Sequence, residues 1–123
     1  MLLRTAILLS ALLTVAPPAV AGDAAHGQAL WEAKCIACHA LDANKVGPKH
    51  RGVYGREAGT APGYSYSPAL KASHIVWDAA SLDMWLKGPR AFVPGTKMTF
   101  SLAQPQDRAD VIAYLKSLSP AAD

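Results

Sequence analysis

The chain carries two cysteines, and both stand in the run Cys35-Ile36-Ala37-Cys38-His39. Two thiols with two residues between them can close a disulfide or act as a redox pair. With a neighbouring histidine they could also contribute to a zinc site, but zinc asks for four ligands and the fourth is not supplied. A histidine directly after the second cysteine changes the reading. C-x-x-C-H is the attachment signature for c-type haem: the thiols add to the two vinyl groups of one porphyrin, and the histidine becomes the proximal ligand to its iron. Covalent haem through Cys35 and Cys38, with His39 on the metal, is therefore the expected chemistry.

Such an iron needs a sixth ligand. Downstream of the motif the methionines are Met84 and Met98. Met84 lies in Asp78-Ala79-Ala80-Ser81-Leu82-Asp83-Met84-Trp85-Leu86, which reads as a short helix, and it is expected there as a packing residue. Met98 lies in Pro94-Gly95-Thr96-Lys97-Met98, where Pro and Gly mark a loop. A loop can aim a thioether without obeying helical periodicity, so Met98 is the expected ligand. Thioether sulfur otherwise serves as core filler. His26, His50 and His74 are rivals, but nothing in their sequence context supports them.

The elements that must position these groups are few. Residues 1–21 read as a secretory signal peptide cleaved after Ala21: Arg4 is its one charge, an apolar stretch runs from Ala6 to Val15, and Ala19-Val20-Ala21 ends it. That apolar stretch is too short to span a membrane. Residues 22–123 then form a single domain, which is all that 123 residues can hold. The net charge of +3 becomes +2 without Arg4, and no dense basic run suggests nucleic acid. Large side chains are few, while Gly and Pro number nine each. A scaffold of this size and composition needs an internal filler. That argues against a large-core enzyme, a repeat array and a disordered chain.

Helices are predicted from Asp23 to about Lys34 and from Pro105 to about Leu118. Short ones are predicted to start at Ser67-Pro68 and to run from Asp78 to Gly88-Pro89. Val111, Leu115 and Leu118 repeat at helical spacing, beside Tyr114. Gly27 inside a helix costs roughly 1 kcal/mol relative to Ala, which a close helix crossing would offset. The first and last helices are predicted to cross there, with Trp31 and Tyr114 nearby. Residues 47–63, rich in Gly, read as loop and turns. The fold class is all-α, wrapped round a flat cofactor.

Gly27 and Trp31, the C-x-x-C-H run and Val46-Gly47-Pro48 follow one another in an order that extends to the C-terminus. It continues through Gly52-Val53-Tyr54-Gly55-Arg56, Ala61-Pro62-Gly63-Tyr64-Ser65-Tyr66, Trp77, Pro94-Gly95-Thr96-Lys97-Met98 and Asp110-Val111-Ile112-Ala113-Tyr114-Leu115-Lys116. Together they resemble the class I c-type cytochromes, monohaem electron carriers of bacteria and mitochondria. The resemblance implies a small cytochrome c fold and one covalent haem c ligated by His39 and Met98. It implies that the Pro48 carbonyl accepts from His39. It places Arg56, Tyr64, Tyr66 and Trp77 around the haem propionates, and Thr96 near Met98 on the same side. Three positions depart from the usual pattern: Leu70 where Asn is common, Trp85 where Tyr is common, and His50 where an apolar Leu is usual.

The implied function is one-electron transfer rather than catalysis, by a soluble, exported, periplasmic monomer. Its partners would be redox proteins: an oxidase, a reaction centre, a bc1-type complex or a dehydrogenase. Lys34, Lys45, Arg90 and Lys97 match positions round the exposed haem edge. One alternative is a haem enzyme or ligand sensor with an open sixth position. The other is a haem-free thiol-disulfide oxidoreductase using Cys35 and Cys38.

Overall fold

A computed structural model of the chain describes residues 11–15 and 20–120. Most of the expected signal peptide, including Ala19 of its cleavage site, lies outside the described residues; residues 11–15 and 20–22 carry no regular structure. The elements run α1 (Ala24–Lys34), α2 (Pro68–Lys71), α3 (Ala79–Lys87), α4 (Pro89–Phe92) and α5 (Pro105–Ser117). Among the described residues there is no strand, and Glu57 and Val76 form an isolated antiparallel bridge.

Local chemistry sets these boundaries. The Asp23 carboxylate accepts from the amides of Ala25 and His26 at 3.0 and 3.2 Å and so caps α1. Asp78 and Ser81 cap α3 reciprocally: the Ser81 amide donates to the Asp78 carboxylate at 2.8 Å, and the Asp78 amide to the Ser81 hydroxyl at 2.9 Å. Proline occupies the first turn of α2, α4 and α5, where a missing N–H is no loss. Gly88-Pro89 does end α3, but the same Pro89 opens α4, which the sequence reading did not foresee.

Helices α1 and α5 cross at Gly27. A Cβ there would overlap the carbonyl of Asp110 on α5, so the backbones touch where the side chain is missing. Trp31 meets Tyr114 edge-on beside the crossing, with ring centroids 6.1 Å apart. The Asp110 side chain, only 3% exposed, locks the junction. It accepts from the Asp23 amide at 2.8 Å, from Gln106 Nε2 at 2.8 Å and from His26 Nδ1 at 2.6 Å. Three donors answer the cost of burying a carboxylate, and the Asp110 bond raises the His26 pKa above its ordinary value. Arg108 joins α5 to α3 through Asp83 at 2.7 Å, and its Nη1 donates to the carbonyls of Leu102 and Ala103.

Between α1 and α2 the chain turns repeatedly. Gly52, Gly55, Gly59 and Gly63 all take φ between 76 and 87°, left-handed backbone that a Cβ disfavours. Backbone bonds pin this segment: the Gly55 amide donates to the Trp77 carbonyl at 2.6 Å and the Ala58 amide to Ile75 at 2.7 Å. The buried core comprises Val53, Leu70, Trp77, Leu82, Leu86, Val111 and Leu115 with their neighbours. Those same seven side chains also line a cavity. The core is thus built around a hole.

Candidate haem-binding cavity

The cavity measures about 380 Å³. All ten residues expected to hold or surround the haem line it: Cys35, Cys38, His39, Pro48, Arg56, Tyr64, Tyr66, Trp77, Thr96 and Met98. They come from separate segments that only the fold brings together.

Helix α1 delivers the cysteines. Its last turn ends on Cys35, whose amide donates to the Trp31 carbonyl at 2.8 Å. The amides of Cys38 and His39 both return to the Cys35 carbonyl, at 3.1 and 2.9 Å, so the motif is one tight turn anchored on a helix end. Burial and the neighbouring Cys38 push the Cys35 thiol up to about 11.

The imidazole of His39 is held on several sides. Its Nδ1–H donates to the Pro48 carbonyl at 2.7 Å, which leaves Nε2 as the nitrogen available for a metal. A Cβ on Gly47 would overlap the ring, lying 2.7 Å from Nδ1. The His50 ring stacks on it with centroids 3.8 Å apart and planes 23° from parallel. Burial lowers the His39 pKa, which the Pro48 carbonyl partly opposes; a neutral imidazole is the form that ligates.

Met98 reaches the cavity from the loop after α4 and packs against the core. Met84 does not: it is 54% exposed and does not line the cavity. It is therefore not the packing residue expected of it, because α3 turns Leu82 and Leu86 inward instead. Of the rival histidines, His26 pairs with Asp110 and His74 with Glu57; neither histidine lines the cavity, although Glu57 does. His50 is a cavity residue that the sequence did not single out as one. It lines the cavity, accepts from Trp31 Nε1 at 2.8 Å and touches His39. Burial, His39 and Arg56 together hold its pKa well below the ordinary value.

The polar residues ring one part of the wall. Thr96 is buried, and Arg56 bonds the Lys49 carbonyl at 3.3 Å through one guanidinium nitrogen. Tyr66 accepts from the Ala61 amide at 3.0 Å, which leaves its own hydroxyl proton free to donate. Tyr64 donates to the Val46 carbonyl at 2.7 Å, closing the rim. Lys97 donates to the Ser65 carbonyl at 2.5 Å across the same rim. On the remaining wall Trp85 packs against Trp77 at 5.2 Å, and Leu70 is buried. Both put apolar atoms on that wall.

A haem fits this donor set. The largely apolar cavity would receive the ring, Cys35 and Cys38 could bond its vinyl groups, and the oriented His39 nitrogen and the Met98 thioether could ligate the iron. Arg56 and the Tyr66 hydroxyl can meet carboxylates, which are costly to bury without partners.

Comparison with known proteins agrees. The model of the family described as "Cytochrome c" matches residues 24–119. Cytochrome c of Sesamum indicum is 45% identical over 105 residues, covering 82% of this chain and 92% of the relative. Cytochrome c2 of Rhodomicrobium vannielii is 44% identical over 117 residues, covering 92% and 93%. The solved structure of cytochrome cH from Methylobacterium extorquens superposes with a TM-score of 0.75 at 48% identity, covering 78% of this chain and 99% of that one. The chain belongs to the cytochrome c family, as a class I, monohaem electron carrier with covalently bound haem c rather than an enzyme.

Proposed function

We propose that the chain is an exported, periplasmic one-electron shuttle in which Cys35 and Cys38 hold the haem while His39 and Met98 ligate its iron. One observation carries the reading above all: these four side chains line a single apolar cavity although Met98 is far from the motif in sequence. The export step rests on the sequence of residues 1–21, with cleavage after Ala21 leaving 22–123 as the working domain. No helix of the described residues is long and apolar enough to cross a membrane.

When bound, the haem supplies an iron that gains and loses one electron, with thioether ligation favouring Fe(II) and a higher potential. The chain's own residues do the rest. Pro48 fixes the tautomer of His39. Leu70, Leu82, Leu86, Val111 and Leu115 keep water from the ring. Arg56, Tyr64, Tyr66 and Trp77, with Thr96 beside them, would answer the propionates. With His39 held by Pro48 and Met98 packed on the core, little would have to move when the charge of a bound haem changes. An open-site enzyme or sensor would lack the Met98 bond, and a thiol oxidoreductase would lack the haem.

The test is covalent retention. The purified protein should give a c-type pyridine haemochrome and keep its haem through acid–acetone extraction. Changing both Cys35 and Cys38 to Ala should release essentially all of it, and either single change should weaken retention. Haem kept through denaturation and extraction by the double variant would overturn the attachment assignment.

The partners follow from surface charge. Lys34 and Lys97 border the cavity, and both are exposed. Lys45 lies nearby with its ammonium on the Ile36 carbonyl at 2.7 Å, whereas Arg90 on α4 stands outside the cavity lining. Net charge is small, so steering toward an acidic redox partner has to come from this local asymmetry. Surface charges are screened beyond about 8 Å at physiological salt. The second-order rate with an acidic redox protein should therefore fall as salt rises. Lys97→Glu should flatten that dependence and Lys116→Glu, on α5, should alter it less. A rate that is flat or rises with salt in the unaltered protein would remove the cationic face.

A further inference from the structure

The proximal wall contains an arrangement that neither the attachment motif nor the axial pair requires. Tyr114, Trp31, His50 and His39 follow one another from the α1–α5 crossing to the cavity, with ring centroids 6.1, 6.0 and 3.8 Å apart in succession. The middle link is a directed hydrogen bond, from Trp31 Nε1 to His50 Nδ1 at 2.8 Å.

An indole N–H can only donate. His50 Nδ1 must therefore be the unprotonated, accepting nitrogen, and the proton of the neutral ring sits on Nε2. A single bond thus decides both the tautomer and the plane of His50. Trp31 is itself immobile: it is 6% exposed, and α1 and Tyr114 pack it in place. The fixed plane of His50 lies 23° from that of His39. Rotation of His39 about its Cβ–Cγ bond would drive one ring into the other. Pro48 pulls on the edge of His39 through Nδ1, and Gly47 closes on its other atoms. An aliphatic side chain at position 50 would fill the space, yet it would leave the buried Trp31 donor without an acceptor. It would also replace a flat surface with a rotatable one.

We propose that His50 is a positioning residue for the proximal ligand: Trp31 sets the plane of His50, and the stacked ring of His50 sets the rotational angle of His39. This rests on His39 being the ligand. The angle of an axial imidazole governs how the unpaired electron of a low-spin ferric haem spreads over the porphyrin. It is therefore read by the spread of the paramagnetically shifted haem-methyl proton resonances, which a merely structural role would not move.

The experiment uses the ferric holoprotein and compares Trp31→Phe, His50→Leu and the double variant. All should keep a six-coordinate, low-spin optical spectrum. His50→Leu should change the methyl spread, and Trp31→Phe should change it in the same direction by a smaller amount. Trp31→Phe should add nothing further in the His50→Leu background, because its effect passes through His50. His50→Asn, whose carbonyl oxygen can take the Nδ1 role, should recover part of the original spread. An unchanged spread in His50→Leu, or fully additive effects of the two substitutions, would overturn the proposal. Should His50→Leu fail to load haem, Trp31→Phe decides alone: an unchanged spread rejects the coupling. The ligand assignment fails separately, if His39→Ala keeps the low-spin spectrum of the parent.

Discussion

Gly27→Ala should be among the most damaging single-methyl changes in the chain. The added Cβ would overlap the carbonyl of Asp110, and the next nearest atoms are also backbone, at Asp110 and Val111. A flexible side chain could swing away, but two crossed helix backbones cannot. Overpacking typically costs about 1–3 kcal/mol and sometimes more; the better helix propensity of Ala returns only about 1 kcal/mol. Separating the helices would also stretch the bonds from the Asp23 amide and His26 to Asp110, which span the same junction. A net loss of roughly 2–4 kcal/mol is expected, from a domain whose total stability is of the order of 5–15 kcal/mol. At about 4–8 °C per kcal/mol for a domain of this size, the holoprotein should melt at least ~8 °C lower. Gly52→Ala is the comparison. Gly52 has φ of 77° and no atom near its missing Cβ, so only the left-handed backbone is penalised, by about 1–2 kcal/mol. If Gly27→Ala melts no lower than Gly52→Ala, the close crossing does not hold the terminal helices together.

How far the sequence discloses the molecule depends on the range of the signal. Helix starts were legible because their causes are local: Asp23, Asp78, Ser67 and Pro105 each act within one turn. Gly27 was legible as a crossing because a helical glycine needs a reason. The short α4 was missed because Gly88-Pro89 carries two meanings, and a stop signal for one helix is also a start signal for the next. Within the site, C-x-x-C-H is contiguous and therefore plain. Met98 was legible from its Pro-Gly loop, whereas the polar residues were reached through resemblance, since nothing in their own spacing reports that they share a cavity with Cys35. His50 shows the limit. A lone histidine in a loop carries no local information about burial. Its bond to Trp31 spans 19 residues, and its contact with His39 exists only once the loop folds back through the hydrogen bond at Pro48. Met84 erred in the opposite direction: the helix was right, but its phase placed Leu82 and Leu86 inward and left the thioether in water.

Met98→Ala should open the site, and Met84→Ala should not. The two methionines differ in surroundings more than in chemistry. Met98 lies in a loop, half-buried, packed on the core and lining the cavity, whereas Met84 is 54% exposed on α3. An external ligand can bind the ferric iron only in the fraction of molecules whose sixth position is free. Deleting the thioether removes that competition, so the apparent affinity for cyanide or imidazole should rise by more than about tenfold, equivalent to ~1.4 kcal/mol. The same deletion removes the ligand that favours Fe(II). The midpoint potential should fall by on the order of 0.1 V, a modest part of the ~0.8 V over which axial ligands set haem potentials. The near-infrared band of an iron–sulfur bond should disappear from the ferric spectrum. In Met84→Ala all three observables should match the parent, with at most a small change in melting. Water or an added ligand should take the vacated position. Retention of the iron–sulfur band in Met98→Ala, or its loss in Met84→Ala, would transfer the sixth ligand away from the loop and undo the axial assignment.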